Sequence, residues 1–292
     1  MMHTWILLSL ISAFTLATSD AFTKKALAKG NEYLVGLFRL LFSLPFLLCL
    51  LFFVPAPRLD REFYIAFAFA LPLEIAAWVF YIKALKISPL SLTLPFLSLT
   101  PVFLIIVSYA ILGERVSLQG GIGILCLAAG SYVLHFHKME KGILEPFRAI
   151  TKEKGSVLMI FAAFIYSITS SLGKMAIIHS SPLFFGIVYF IVVTIVFAPI
   201  ALWMGRHELK GFIASKQYRG LMLPGLCHAG MVVSHMVAIS MIQVAYMISL
   251  KRTSVLLAVV YGYFLFNEKH MKERLTGALL MFTGFILIVT AP

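Results

Sequence analysis

The sequence predicts an all-α, polytopic membrane protein: ten transmembrane helices arranged as two inverted five-helix repeats. Three observations carry that expectation. Composition comes first. Of the 292 residues, 61% are hydrophobic and only 12% charged, and mean hydropathy is +0.98, against about 25% charged residues in a soluble domain. Second, the apolar residues fall in continuous runs long enough to cross a bilayer, which takes roughly 20 residues. They do not alternate with polar ones as a membrane β-barrel requires. Third, the two halves of the chain repeat.

The ten runs are 5–22, 33–54, 63–85, 89–112, 118–136, 156–177, 182–204, 218–242, 244–266 and 275–289. The first lacks a charged segment before it and is followed at once by Lys24, Lys25 and another span, so it reads as a helix and not as a signal peptide. Ser88–Pro89 suits the start of the fourth span, a cap followed by a first-turn proline. Only Gln243 separates the eighth and ninth. Residues 1–137 form the first repeat, 138–155 a cytoplasmic linker that reads as a short amphipathic helix at the membrane surface or, alternatively, as a disordered segment, and 156–292 the second repeat.

A shift of 150 places Phe14 on Phe164, Lys24 on Lys174 and Gly36 on Gly186. A shift of 154 places Tyr109 on Tyr263, Glu114 on Glu268, Gly123 on Gly277 and Gly130 on Gly284. One insertion after the seventh span explains both offsets. Five spans per repeat force opposite orientations, the arrangement that supports alternating access.

The net charge of +12 is a matter of topology and not a sign of nucleic-acid binding. Seventeen of the 24 Lys and Arg follow the odd-numbered spans, and Arg58, Arg61, Arg115 and Lys174 lie on the other side. The positive-inside rule puts the rich side in the cytoplasm of an inner or plasma membrane, with both termini outside. Cys49, Cys126 and Cys227 sit in apolar runs as packing residues. The alternate spacing of His135 and His137 splays their rings apart on a helix, so no metal site is expected, and no cofactor.

The repeat carries a further resemblance. Leu112-Gly113-Glu114-Arg115 ends the fourth span, and Phe266-Asn267-Glu268-Lys269 ends the ninth. Gly120, Gly123, Gly130, Gly277 and Gly284 mark the fifth and tenth, Ala84 to Pro89 bridges the third and fourth, and Thr100-Pro101 sits inside the fourth. This pattern resembles the EamA domain of the drug/metabolite transporter superfamily, present twice. The resemblance implies a ten-helix bundle with a central cavity lined mainly by helices 1, 3, 4, 6, 8 and 9. Ser249 to Val255, with Lys251-Arg252, is similar to the Lys-Arg pair that binds phosphate in triose-phosphate/phosphate translocators, although the fourth span here holds no lysine.

Charges inside a bilayer are costly and are functional candidates by default. Lys251 and Arg252 lie about eight residues into their span, roughly 12 Å at 1.5 Å per residue. They suit a carboxylate or phosphate, Arg as a fork and Lys as a point charge. The alternative is a structural ion pair with Glu74 or Asp20. Glu74, in the middle of the third span, is the proton-coupling candidate. The repeat maps it onto His228, and Tyr81 onto His235, two histidines seven apart on one helix face. Trp78 shares the face of Glu74. These seven residues form the expected substrate site, with cross-helix hydrogen bonds of the histidines and simple packing of Trp78 as the alternatives. Asp20 and Arg39 are expected to pair near the cytoplasmic side, Glu114 and Glu268 to be structural, and Lys24 and Lys174 to anchor helix ends at the interface, with gating as the alternative. Pro101, Pro224 and Gly225 are the hinge candidates, with packing shape as the equal alternative.

The expected function is a secondary active exporter or exchanger of a small polar, anionic metabolite, such as an amino acid or a phosphorylated compound. Its partners would be the substrate, the lipid bilayer, and protons or a counter-substrate, in a monomer or homodimer. The alternatives are efflux of neutral or cationic compounds, with Lys251 and Arg252 structural, and a membrane enzyme on a lipid-linked substrate. No phosphate-binding loop points to ATP drive, and no His-Glu-x-x-His motif or aspartate-rich cluster supports an enzyme.

Overall fold

The computed structural model describes residues 4–88, 94–133, 154–266 and 275–291. Among them, regular structure is helical throughout. Eight helical spans are long and apolar enough to cross a membrane, and Leu118–Val133 and Thr276–Val289 are shorter apolar helices. The ten are α1 Thr4–Leu27, α2 Glu32–Leu51, α3 Arg61–Ile87, α4 Thr100–Leu112, α5 Leu118–Val133, α6 Lys154–Ile178, α7 Pro182–Met204, α8 Met222–Met241, α9 in two pieces, and α10 Leu275–Val289. The pieces of α9 are α9a Val244–Lys251 and α9b Ser254–Phe266. A 3₁₀ segment, Leu94–Leu99, leads into α4. The linker helix, His135, His137, Glu268 and the start of the fourth span at Pro89 fall outside the described residues.

Local chemistry sets the helix ends. Asn31 caps α2 by accepting from the Tyr33 and Leu34 amides, and its repeat mate Ser181 caps α7 by accepting from Phe184. Asp60 caps α3 through the Phe63 amide. Side-chain oxygens here satisfy amides that a helix start leaves unpaired. At the other end of α4, Gly113 adopts φ +69°, a left-handed turn that glycine takes without a Cβ penalty.

The repeat is visible in the packing. A Cβ on Gly36 of α2 would meet Trp78 and Ile82 of α3. A Cβ on Gly186 of α7 would meet Val232 and Met236 of α8, which are the same positions 154 residues on. The glycines of α5 and α10 cross reciprocally. A Cβ on Gly123 would lie 2.9 Å from the Gly284 carbonyl, and one on Gly130 would lie 2.7 Å from the Gly277 carbonyl. Without side chains at the crossing, the two backbones approach closely, which is how membrane helices gain packing contact.

The helix in the fourth and ninth spans is interrupted at matched places. Leu94–Leu99 is 3₁₀ helix. In the ninth span, Arg252, Thr253, Val255 and Leu256 donate to carbonyls three residues back, so the helix tightens across the same stretch of the repeat. Such tightened turns mark hinges. Pro101 stands in the first turn after this interruption. Pro224 and Gly225 begin the eighth span. They lie in the first turn of α8, where Ser19 donates to the Pro224 carbonyl at 2.8 Å. A Cβ on Gly225 would come within 2.4 Å of Phe42 Cβ, so this glycine permits a tight helix crossing.

Candidate functional site

One cavity of about 110 Å³ lies inside the bundle. A single water needs roughly 10–15 Å³ of such space, so the cavity is large enough for a small molecule. Four helices turn regular stripes toward it. They are Glu74, Trp78 and Tyr81 on α3; Tyr166, Thr169, Ser170, Gly173 and Ile177 on α6; His228, Met231, His235 and Ile239 on α8; and Ile248 with Lys251 and Arg252 on α9. Steps of three and four residues keep each stripe on one helix face. Phe185, Tyr189 and Phe190 of α7, Leu16 of α1, Arg39 of α2, Leu97 of the 3₁₀ segment and Met236 of α8 complete the wall. All seven residues expected from the sequence as a substrate site, Lys251, Arg252, Glu74, Trp78, Tyr81, His228 and His235, line this one cavity.

The cations of the ninth span are buried, Lys251 9% and Arg252 5% exposed. Lys251 Nζ lies 3.2 Å from Met231 Sδ and 3.3 Å from His235 Nδ1. Arg252 donates through Nη2 to Thr100 Oγ1 at 2.9 Å, and its Nε is buried without a partner among the described residues. Neither cation forms an ion pair with an acidic side chain among the described residues. The structural ion pair with Glu74 or Asp20 is therefore absent. Glu74 faces the Thr169 hydroxyl and feels the Lys251 charge at longer range. Charges of both signs thus share one cavity without cancelling at contact.

Asp20 and Arg39 do pair, at 3.0 Å with side chains 3% and 1% exposed. Their place needs correcting: α1 runs on to Leu27, so Asp20 sits well inside the bundle and not near its end. The Arg39 guanidinium lies 5.0 Å from the Trp78 ring centroid, a cation–π contact, and its Nη2 is 3.4 Å from His228 Nδ1. His228 packs between Trp78 and Phe190, with ring centroids 5.6 and 5.2 Å away. Trp78 Nε1, His228 Nε2 and Tyr189 Oη are buried and unpartnered among the described residues. Buried polar atoms are satisfied in nearly all folded proteins, so these are groups that a polar occupant of the cavity would satisfy.

Sequence reasoning missed Arg39, Thr169, Ser170, Tyr189 and Thr100 as parts of this region. The signal was available: the 150-residue shift maps Asp20 onto Ser170 and Arg39 onto Tyr189. At the bundle's edge, Asp60 Oδ2 lies 2.6 Å from His179 Nδ1. The Phe63 amide and this histidine hold the exposed Asp60 carboxyl below the usual carboxylate range.

No curated protein matches the chain. A solved structure described only as "Crystal structure of protein" is similar in fold, with a TM-score of 0.70 over 97% of this chain and 98% of that one, at 13% identity. The model of the EamA-like transporter family matches residues 3–136 and again residues 153–290. A cavity walled by paired helices of two repeats, on a chain that matches this family twice along nearly its whole length, identifies a multi-pass membrane protein that belongs to the EamA-like transporter family.

Proposed function

We propose that the protein is a secondary transporter that carries a small anionic metabolite by alternating access, with Lys251 and Arg252 binding the negative group. The observation that carries this reading is the pair of buried, adjacent cations on a cavity wall with no carboxylate at ion-pair distance among the described residues. Burying a charge unpaired is costly, and an anionic substrate removes that cost. Thr100 holds Arg252 through a neutral hydroxyl, which fixes the guanidinium and leaves its charge available. The two half-helices of the ninth span meet beside these residues, as the broken helices of other transporters do at their binding sites. In this reading the basic face is cytoplasmic, in a plasma or inner membrane, with both termini outside.

The test is a thermal-shift screen of the purified chain against carboxylates, phosphorylated compounds, neutral polar compounds and organic cations, since a ligand stabilises the state it binds. A rise confined to anions supports the reading, and a rise confined to cations refutes it. Glu74, a carboxylate on the same cavity wall, favours a second reading, transport of a cationic or neutral compound. The coupling role of Glu74 has its own test in reconstituted vesicles. Glu74→Gln should abolish gradient-driven accumulation and leave substrate exchange partly intact. A variant that concentrates substrate as well as wild type removes Glu74 from coupling.

A further inference from the structure

Away from the cavity's charged centre, one cluster joins helix ends on the face opposite the basic one. Glu114, just past α4, places Oε1 2.5 Å from Lys174 Nζ of α6. Its Oε2 accepts from the Val244 amide, the first residue of α9a, at 2.8 Å. Lys174 also donates to the Ile242 carbonyl at the end of α8, at 2.7 Å. The Glu114 and Lys174 side chains are each only 12% exposed. Beside them, the Ser117 amide donates to Tyr246 Oη at 3.0 Å. Gly120 makes room for this phenol, since a Cβ there would stand 2.1 Å from Oη. The Gln243 side chain makes no cap for α9a. A carboxylate from the other repeat supplies the cap instead, where a helix start favours negative charge. One turn of the first repeat therefore holds α6 and α9a of the second directly, and Lys174 carries the link on to the end of α8.

The cluster lies at one end of the cavity. Gly173, Ile177 and Ile239 line the cavity and neighbour Lys174 and Ile242 in the chain. The repeat supplies a second, independent observation. Lys24, the mate of Lys174, donates to the Ser88 carbonyl at 2.7 Å and to the Leu85 carbonyl. Ser88 and Ile242 are matched by the 154-residue shift. The same bond, from a lysine to the carbonyls ending a helix, is thus made at opposite ends of the bundle.

We propose that Glu114, Lys174 and the Val244 amide form a latch that closes the cavity toward the face opposite the basic one, and that this latch breaks when the cavity opens there. The inference rests on alternating access and not on the charge of the substrate. Opening that end requires α6 and α9a to part from the end of α4, and the ion pair is the charge-assisted link between them. Charge-assisted bonds are roughly twice as strong as neutral ones, so losing the pair biases the cavity toward opening at this end.

The test uses the full chain with Cys49, Cys126 and Cys227 replaced, and two matched reporters. Ile239→Cys sits at the latched end and Leu85→Cys, its repeat mate, at the basic end. Both native side chains are buried. The rate of maleimide labelling is measured in detergent, with and without Lys174→Met or Glu114→Gln. Breaking the latch should raise labelling at 239 about tenfold, the low end for one charge-assisted bond, and lower it at 85. Lys174→Arg, which keeps the charge, should stay near wild type. No rise at 239, or an equal rise at both positions, overturns the latch, the second outcome being a loosened fold. A rise at 239 with 85 unchanged keeps the closing role but overturns alternating access.

Discussion

The two repeats share a backbone plan and divide the chemistry between them. At matched positions the first repeat holds Asp20 and Arg39, paired and buried, where the second holds Ser170 and Tyr189, both lining the cavity. The ninth span carries Lys251 and Arg252 where the fourth carries Leu97 and Ser98. Glu74 and Tyr81 face His228 and His235 across the same comparison. Duplication fixed where the helices break and cross. Substitution then gave one half a buried ion pair and the other two buried cations with no carboxylate at ion-pair distance among the described residues.

The largest effect should come from breaking the buried pair that only the first repeat has at these positions. Arg39→Met leaves the Asp20 carboxylate buried and alone, which costs about 3–5 kcal/mol. The mate change Tyr189→Phe removes a hydroxyl with no partner among the described residues and should be nearly neutral. Thermal unfolding in detergent measures both, and similar losses would refute the asymmetry. Adding Asp20→Asn to Arg39→Met should restore much of the stability, because the stranded charge is then gone.

Next comes the cation that only the second repeat has. Lys251→Ala should weaken binding of an anionic ligand by roughly 10- to 150-fold, the range for a charge-assisted bond of about 1.5–3 kcal/mol. Leu97→Ala, at the matched position, should cost stability and leave the preference for anions unchanged. Isothermal titration with the ligand found by thermal shift checks this. Equal affinity for Lys251→Ala and wild type would remove Lys251 from recognition.

The sequence revealed the helices because apolar runs of bilayer length have no other stable home, and it revealed the repeat because Lys, Glu and Gly recur at helix ends. The seven cavity residues were legible for a related reason: a charge, imidazole or indole within a span stands out against Leu and Phe. Arg39 was legible as a charge, and the depth of its partner Asp20 was not. Its pairing with Asp20 was foreseen, but α1 continues for seven residues past Asp20, through Thr23, Lys24 and Lys25, whose polarity hides that extension. Thr169, Ser170 and Tyr189 carry no charge and match ordinary helix composition, so only contacts between helices identify them. Glu114 was legible as a charge but its partners were not, since they lie 60 and 130 residues away.

A smaller effect should separate the matched glycines. At Gly186 a Cβ would lie 2.6 Å from Met236 Cγ and 3.3 Å from its Cβ, so Gly186→Ala should cost about 1–2 kcal/mol by overpacking. At Gly36 the nearest atom is Trp78 Nε1, 3.1 Å away. There the helix-propensity gain of up to about 1 kcal/mol for Gly→Ala offsets the strain. Stability should hold while the indole shifts and ligand affinity falls. Chemical denaturation and tryptophan fluorescence distinguish the two, and the reverse order of stability would show that the crossings are not equivalent in tightness.

The smallest effect concerns the loops that tie the repeats at each face. At the basic face, Asn31 donates to Glu208; at the opposite face, His179 meets Asp60. The first link pairs an amide with a carboxylate, and the second pairs two titratable groups on an exposed surface. Asp60→Asn keeps the α3 cap, since an amide oxygen can accept from Phe63, and removes only the charge. Because the Asp60 carboxyl is held below its ordinary range in the folded protein, its contribution is present above the unfolded value, roughly pH 3.9, and is lost as pH falls through the folded one. Wild type and Asp60→Asn should therefore differ slightly in melting temperature at pH 6 and converge in acid. High salt should erase the difference as well, since exposed pairs are screened. A gap that widens on acidification would mean that Asp60 destabilises the fold when charged, and would remove this link from the contacts that tie the repeats together.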